Sequence, residues 1–208
     1  DSLVQIGPVA EGEESWAQGM AEGLCWNLGR FRKLFGRRFP GTLRVELARD
    51  MEDFRRRSGR PWSIVAVWRK GGIFTQPARS LRRVADLQKV LTHELVHGFV
   101  RQACGRACPR WLEEGLAVEL SGQRPEGKPP ADEAALAALE KRLLEGKGSR
   151  EQLAADYGAC RALVKVLAKS VGLIPLLRAL PRLKSGSDLL ERKLGGQTLK
   201  AILFGQKG

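Results

Sequence analysis

The chain has 208 residues, 43% of them apolar, enough to bury a core as one compact domain or two closely packed subdomains. No apolar run approaches the roughly 20 residues that span a bilayer, so a helical membrane-spanning class is excluded. Lys and Arg number 36 against 23 Asp and Glu, a net charge of +13. That excess favours contact with an anionic polymer or membrane surface, set against the plainer reading of a solvated surface. No zinc-finger spacing and no aromatic-glycine ribonucleoprotein signature accompanies it, so no specific nucleic-acid partner is expected. The first residue is Asp1 rather than methionine, which reads as a processed or trimmed product and leaves any leader peptide undecided.

Along the chain, Glu14 to Phe35 carries an apolar stripe (Trp16, Met20, Leu24, Leu28, Phe31) at helical spacing. Pro40-Gly41 breaks it. Thr42 to Ala48 alternates as a strand. Asp50 is placed to cap a short helix through Arg57. After the turn Ser58-Gly59-Arg60-Pro61, a second strand is expected over Trp62–Trp68, a tight turn at Gly71-Gly72 and a third strand over Ile73–Gln76. Ser80 then caps a long helix from Leu81 to Cys104, ended by Gly105. Pro109 suits the first turn of the next helix, which runs to Leu120. Ser121 to Ala131 is rich in Pro, Gly and charge and reads as a loop. Beyond it the pattern is helical: Glu133–Leu144, Arg150–Val171, Leu173–Leu180, Ser187–Leu194 and Thr198–Leu203. These elements divide as an α/β part over 1–80, a helix pair over 81–122 and a helical part over 123–208.

The only histidines are His93 and His97, in His93-Glu94-Leu95-Val96-His97. Four residues make about one helical turn, so both imidazoles leave the same face and can grip one Zn²⁺, with Glu94 as general base on a water that the metal activates. A catalytic zinc usually takes three protein ligands. The third here is a carboxylate or a thiolate. Glu114 opens the following helix, where Gly115 permits close approach and two antiparallel helices can face one metal. Cys104 and Cys108 are rivals that fall at the intervening turn. The four cysteines allow three full pairings; Cys104 and Cys108 are near enough for a local bridge around Gly105, and Cys25 and Cys160 lie in helical segments. The even count leans toward an extracytoplasmic setting.

Sixteen residues separate His97 from Glu114, which lies in Trp111-Leu112-Glu113-Glu114-Gly115-Leu116-Ala117. With the histidine motif, this segment resembles the gluzincin clan of metallopeptidases, and more narrowly the peptidase MA-like superfamily, relatives of the M1 aminopeptidase catalytic domain. The resemblance implies a zincin-like α+β fold: a small mixed sheet with helices packed on a zinc-binding helix pair, then a helical C-terminal subdomain, together one catalytic domain. It implies that His93, His97 and Glu114 bind one Zn²⁺ and that Glu94 is the general base. Tyr157, the only tyrosine, would donate to the oxyanion. It also implies a peptide or protein substrate lying along Ile73–Gln76 as the edge strand. No equivalent of the M1 exopeptidase motif precedes His93, so aminopeptidase specificity is not implied. The competing reading is a catalytically inactive zinc-containing module that binds a polyanion through its basic surface; hydrolysis of a non-peptide amide would need the same metal chemistry. Glu113, Arg101, Arg110, Asp86 and Glu119 flank these positions, and are read as outward, exposed or second-line groups.

Overall fold

Leu43, Val45 and Leu47 are buried while Arg44 and Glu46 between them are exposed, the period-2 pattern of a strand with one face on a core. The computed structural model describes residues 3–61, 63–146 and 148–205. It is a mixed α+β structure with a small mixed sheet, and it divides into two compact units, Asp1–Phe99 and Val100–Gly208.

The first unit runs β1 (Val4–Gly7), α1 (Glu14–Phe35), β2 (Leu43–Leu47), α2 (Met51–Ser58), β3 (Ala66–Arg69), β4 (Gly72–Thr75), α3 (Ala78–Leu81) and most of α4 (Leu87–Cys104). The sheet order is β1-β2-β4-β3, with β1, β2 and β4 parallel and β3 antiparallel to β4. Phe54 of α2 stacks on Phe74 of β4 at 5.5 Å and, with Ala48, closes a small core on one face. Phe31, Phe35 and Phe39 gather around Phe99 of α4, with centroids 5.2 to 5.7 Å from it. Asn27 of α1 donates to the Thr92 hydroxyl at 3.1 Å, a buried polar tie between α1 and α4.

Three expectations are corrected in this unit. Ile73–Gln76 is not an edge strand: β4 lies between β2 and β3, all four of its residues are buried, and both of its sides are paired. The edges are β1 and β3. The helix expected over Leu81–Cys104 is interrupted, because Arg83 and Val84 donate to the Ser80 and Leu81 carbonyls and turn the chain before α4 starts. Ser80 caps nothing; its hydroxyl lies 3.7 Å from the Met51 sulfur. Strand β1 had no expectation. The strand expected over Trp62–Trp68 is shortened to Ala66–Arg69, and Trp62 lies outside the described residues.

The second unit holds the end of α4, then α5 (Arg110–Ser121), α6 (Glu133–Glu145), α7 (Arg150–Val171), α8 (Leu173–Ala179), the hairpin β5 (Lys193–Leu194) and β6 (Gln197–Thr198), and α9 (Leu199–Phe204). Pro109 brings no side-chain cap to α5, so Glu140 of α6 supplies one, accepting from the Arg110 and Trp111 amides at 2.8 and 2.9 Å. Gly115 of α5 lies against the Cys160 carbonyl of α7, where any Cβ would collide. Arg142 clasps Asp156 at 2.8 Å and ties α6 to α7. The helix expected over Ser187–Leu194 is instead a 3-10 turn and the strand β5. Gly195 and Gly196 explain the change: both have positive φ, 62° and 87°, as a two-residue hairpin turn requires. No helix among the described residues is long and apolar enough to cross a membrane.

Candidate metal centre

Leu91, Leu95, Val96 and Phe99 are fully buried and fix α4 in its unit, which sets the direction of His93 and His97 one turn apart. Both imidazoles are buried, 6% and 5% exposed, with centroids 4.8 Å apart. One ligand atom from each of His93, Glu94 and His97 lies within 4.8 Å of the others. Two imidazoles and a carboxylate this close, shielded from water, suit a borderline divalent ion better than a hard oxygen-seeking one. The donor set therefore fits a metal.

Glu94 is partly buried, and its Oε2 accepts the Trp68 amide of β3 at 2.5 Å. This bond ties the carboxylate to the sheet edge. It depends on a close approach, because the Trp68 indole lies over Gly98, where an added Cβ would sit 2.6 Å from the ring. Phe39 meets the same indole edge-on at 5.9 Å. The glycine directly after His97 is the sequence signal of this approach; the Trp68 amide itself left none, since every residue carries one.

In the second unit, Glu113 and Glu114 are each 3% exposed. Arg110 donates to Glu113 Oε2 at 2.6 Å and to Glu114 Oε1 at 2.5 Å, and Arg101 donates to Glu113 Oε1 at 2.7 Å. Burial alone would lower the Arg110 pKa, but Glu114 and Glu113 more than offset it and raise it above the usual value, with a smaller contribution from Tyr157. Tyr157 is half-buried in the second turn of α7, within electrostatic reach of Arg110. Glu113 is thus not outward, and neither arginine is an idle surface cation. Glu119 pairs with Arg161 at 2.7 Å, and Asp86 is exposed and pairs with Lys89 at 3.2 Å. Trp111, 2% exposed, is a packing residue of α5.

The first unit therefore gathers His93, Glu94 and His97, and the second gathers Glu114, Arg110 and Tyr157. Comparison with protein-family models, with curated proteins and with solved structures finds no match.

Proposed function

We propose that this chain is a zinc-dependent peptidase, with His93, His97 and Glu114 as the metal ligands and Glu94 as the general base. The observation that carries the reading is the convergence of one ligand atom each from His93, Glu94 and His97 within 4.8 Å. Glu114 is assigned from its spacing behind the histidine pair in the sequence, and it is buried beside Arg110, which donates to it. The sheet order, with an antiparallel edge strand that bonds to Glu94, supports a zincin-like architecture.

When bound, zinc supplies Lewis-acid polarisation of the scissile carbonyl and makes water easier to deprotonate near neutral pH. Glu94 takes the proton of the attacking water and returns it to the leaving amine. The Trp68 amide orients that carboxylate. Tyr157 is the proposed donor to the oxyanion. An extended peptide would add to the exposed side of β3, next to the general base, rather than to the interior strand β4.

Elemental mass spectrometry on the wild type and three variants tests this, beside hydrolysis of a mixed peptide library. About one zinc per chain is expected in the wild type and in Glu94→Gln, with zinc lost in His97→Ala and sharply weakened in Glu114→Ala. Glu94→Gln should lose about 10²-fold or more in hydrolysis while keeping its metal. A wild type that takes up no zinc even after it is added back overturns the reading.

A further inference from the structure

Helix α7 stops at Gly172, whose φ of 84° turns the chain, and α8 starts directly after it. The chain then passes through the 3-10 turn Leu180–Arg182 and returns as the hairpin β5-β6. The tip of that hairpin rests on the end of α7: a Cβ at Gly195 would sit 2.6 Å from Val171 Cγ1. The end of α7, α8, the 3-10 turn and the hairpin together enclose a cavity of about 300 Å³. Leu183 and Leu194 are buried and line it, and Val171, Pro175 and Ala179 complete an apolar wall. Arg182, Lys193 and Ser170 bring exposed polar groups to its rim. Among the described residues no acidic side chain lines the cavity, and none forms an ion pair with Arg182 or Lys193. The walls are tied to each other. Arg192, held by Asp188 at 2.9 Å, donates to the Arg182 and Lys184 carbonyls at 2.7 and 2.8 Å. The Leu199 amide donates to the Arg192 carbonyl at 3.0 Å.

We propose that this cavity is a binding site for a small amphipathic carboxylate, a short aliphatic chain with one anionic head. The apolar wall takes the chain and the two cations take the head. A volume of about 300 Å³ is at the lower end of the range for ligand pockets, which selects a small ligand. Removing the chain from water drives binding, and a planar guanidinium matches a carboxylate with two parallel N–H donors. Lys193 adds a second positive charge on a flexible stem. A neutral alcohol would leave both cations unused, and an alkylammonium would meet two like charges. An inorganic anion such as phosphate would gain the charges but leave the apolar wall in water. The site lies wholly in the second unit and uses none of His93, Glu94 and His97.

Isothermal titration calorimetry on the full chain tests this, with hexanoate, octanoate, 1-octanol and acetate as probes. The protein is first stripped of metal with a chelator, which is then dialysed away. A carboxylate then has no zinc to bind, and the result does not depend on the peptidase reading. One saturable site per chain is expected for octanoate. Hexanoate, shorter by two methylenes, should bind about tenfold more weakly. Acetate should show no saturable binding, and octanol should bind about tenfold or more below octanoate. The variant Arg182→Gln/Lys193→Gln should weaken octanoate by about tenfold or more and leave octanol unchanged. Its melting temperature should match that of the wild type, since both side chains are exposed. The control Lys165→Gln/Arg178→Gln removes the same charge from exposed positions outside the cavity and should bind octanoate as the wild type does. No saturable octanoate binding in the millimolar range overturns the proposal. So do equal affinities for octanoate and octanol, or octanoate binding that Arg182→Gln/Lys193→Gln retains in full. Equal losses in the two double variants overturn it as well, because general surface charge rather than the cavity would then hold the ligand.

Discussion

Arg110 neutralises two buried carboxylates at once, and its loss should be felt more than that of any other single charge described above. Truncating it to Ala takes a guanidinium partner from both Glu113 and Glu114 at once. Breaking a buried pair by removing one partner is expensive because the remaining charge has been stripped of water, here about 2–4 kcal/mol in urea unfolding at pH 7. Arg101→Ala should lose only about 0.5–1 kcal/mol, since Arg101 is more exposed and Glu113 retains Arg110. Equal losses in the two variants would mean that Glu113 and Glu114 do not share Arg110. At this scale His93, Glu94 and His97 are legible in the sequence, because helical spacing alone brings them to one face. The role of Arg110 is not. Its spacing of three and four residues from Glu113 and Glu114 also describes a solvated surface pair, and only the burial of α5 against α7 decides between the two.

Elements succeed or fail on close approaches. A Cβ at Gly98 would meet the Trp68 indole at 2.6 Å, so Gly98→Ala must push the edge strand away from α4 and lengthen the bond from the Trp68 amide to Glu94. The expected loss is about 1–3 kcal/mol from overpacking. Gly29→Ala, in open space on α1, should gain about 0.5–1 kcal/mol because alanine is the better helix former. Calorimetry on both variants checks the contrast; a stabilised Gly98→Ala would mean that the indole yields freely. Helix α2 makes a pH prediction. Burial raises the Asp53 pKa, but the Arg49 amide and the Arg56 and Arg57 guanidinium groups outweigh it and hold the carboxyl below its ordinary value. A depressed folded pKa means stability that is present above the unfolded value of about 3.9 and lost as pH falls through the folded one. Asp53→Asn should therefore melt below wild type at pH 7, with the gap closing below about pH 4. A gap that persists in acid would assign the loss to packing. The same elements show what was readable. Helices α1 and α7 keep their expected bounds because a long apolar stripe and a stop at Gly36 or Gly172 agree. The edge strand was misassigned because strand order is a tertiary property: an apolar run such as Ile73-Phe74 suits an interior strand, but nothing local says which neighbour pairs outside it. The Gly195-Gly196 hairpin was readable from its dipeptide, yet the flanking strands are only two residues long and carry no period of their own.

The whole molecule carries its charge unevenly. Residues 23–45 include Arg30, Arg32, Lys33, Arg37, Arg38 and Arg44 and no acidic residue. A stretch of one sign attracts polyanions through release of their counterions, an effect without sequence preference and steeply dependent on salt. If about five of these side chains engage phosphates, affinity for double-stranded DNA used as a generic polyanion should fall about 10²–10³-fold between 50 and 200 mM salt. Glu94→Gln should leave that binding untouched, because Glu94 lies partly buried against β3 and adds nothing to the outer field. The two functional readings are thereby separated. Polyanion binding that survives Glu94→Gln alongside hydrolysis that does not would make the charge an adjunct that concentrates the peptidase on an acidic surface. Polyanion binding with no zinc and no hydrolysis in the wild type would make the charge the function. Fluorescence anisotropy across the salt range measures the slope, and a slope near zero would reduce the cationic stretch to a solvated surface with no partner of its own.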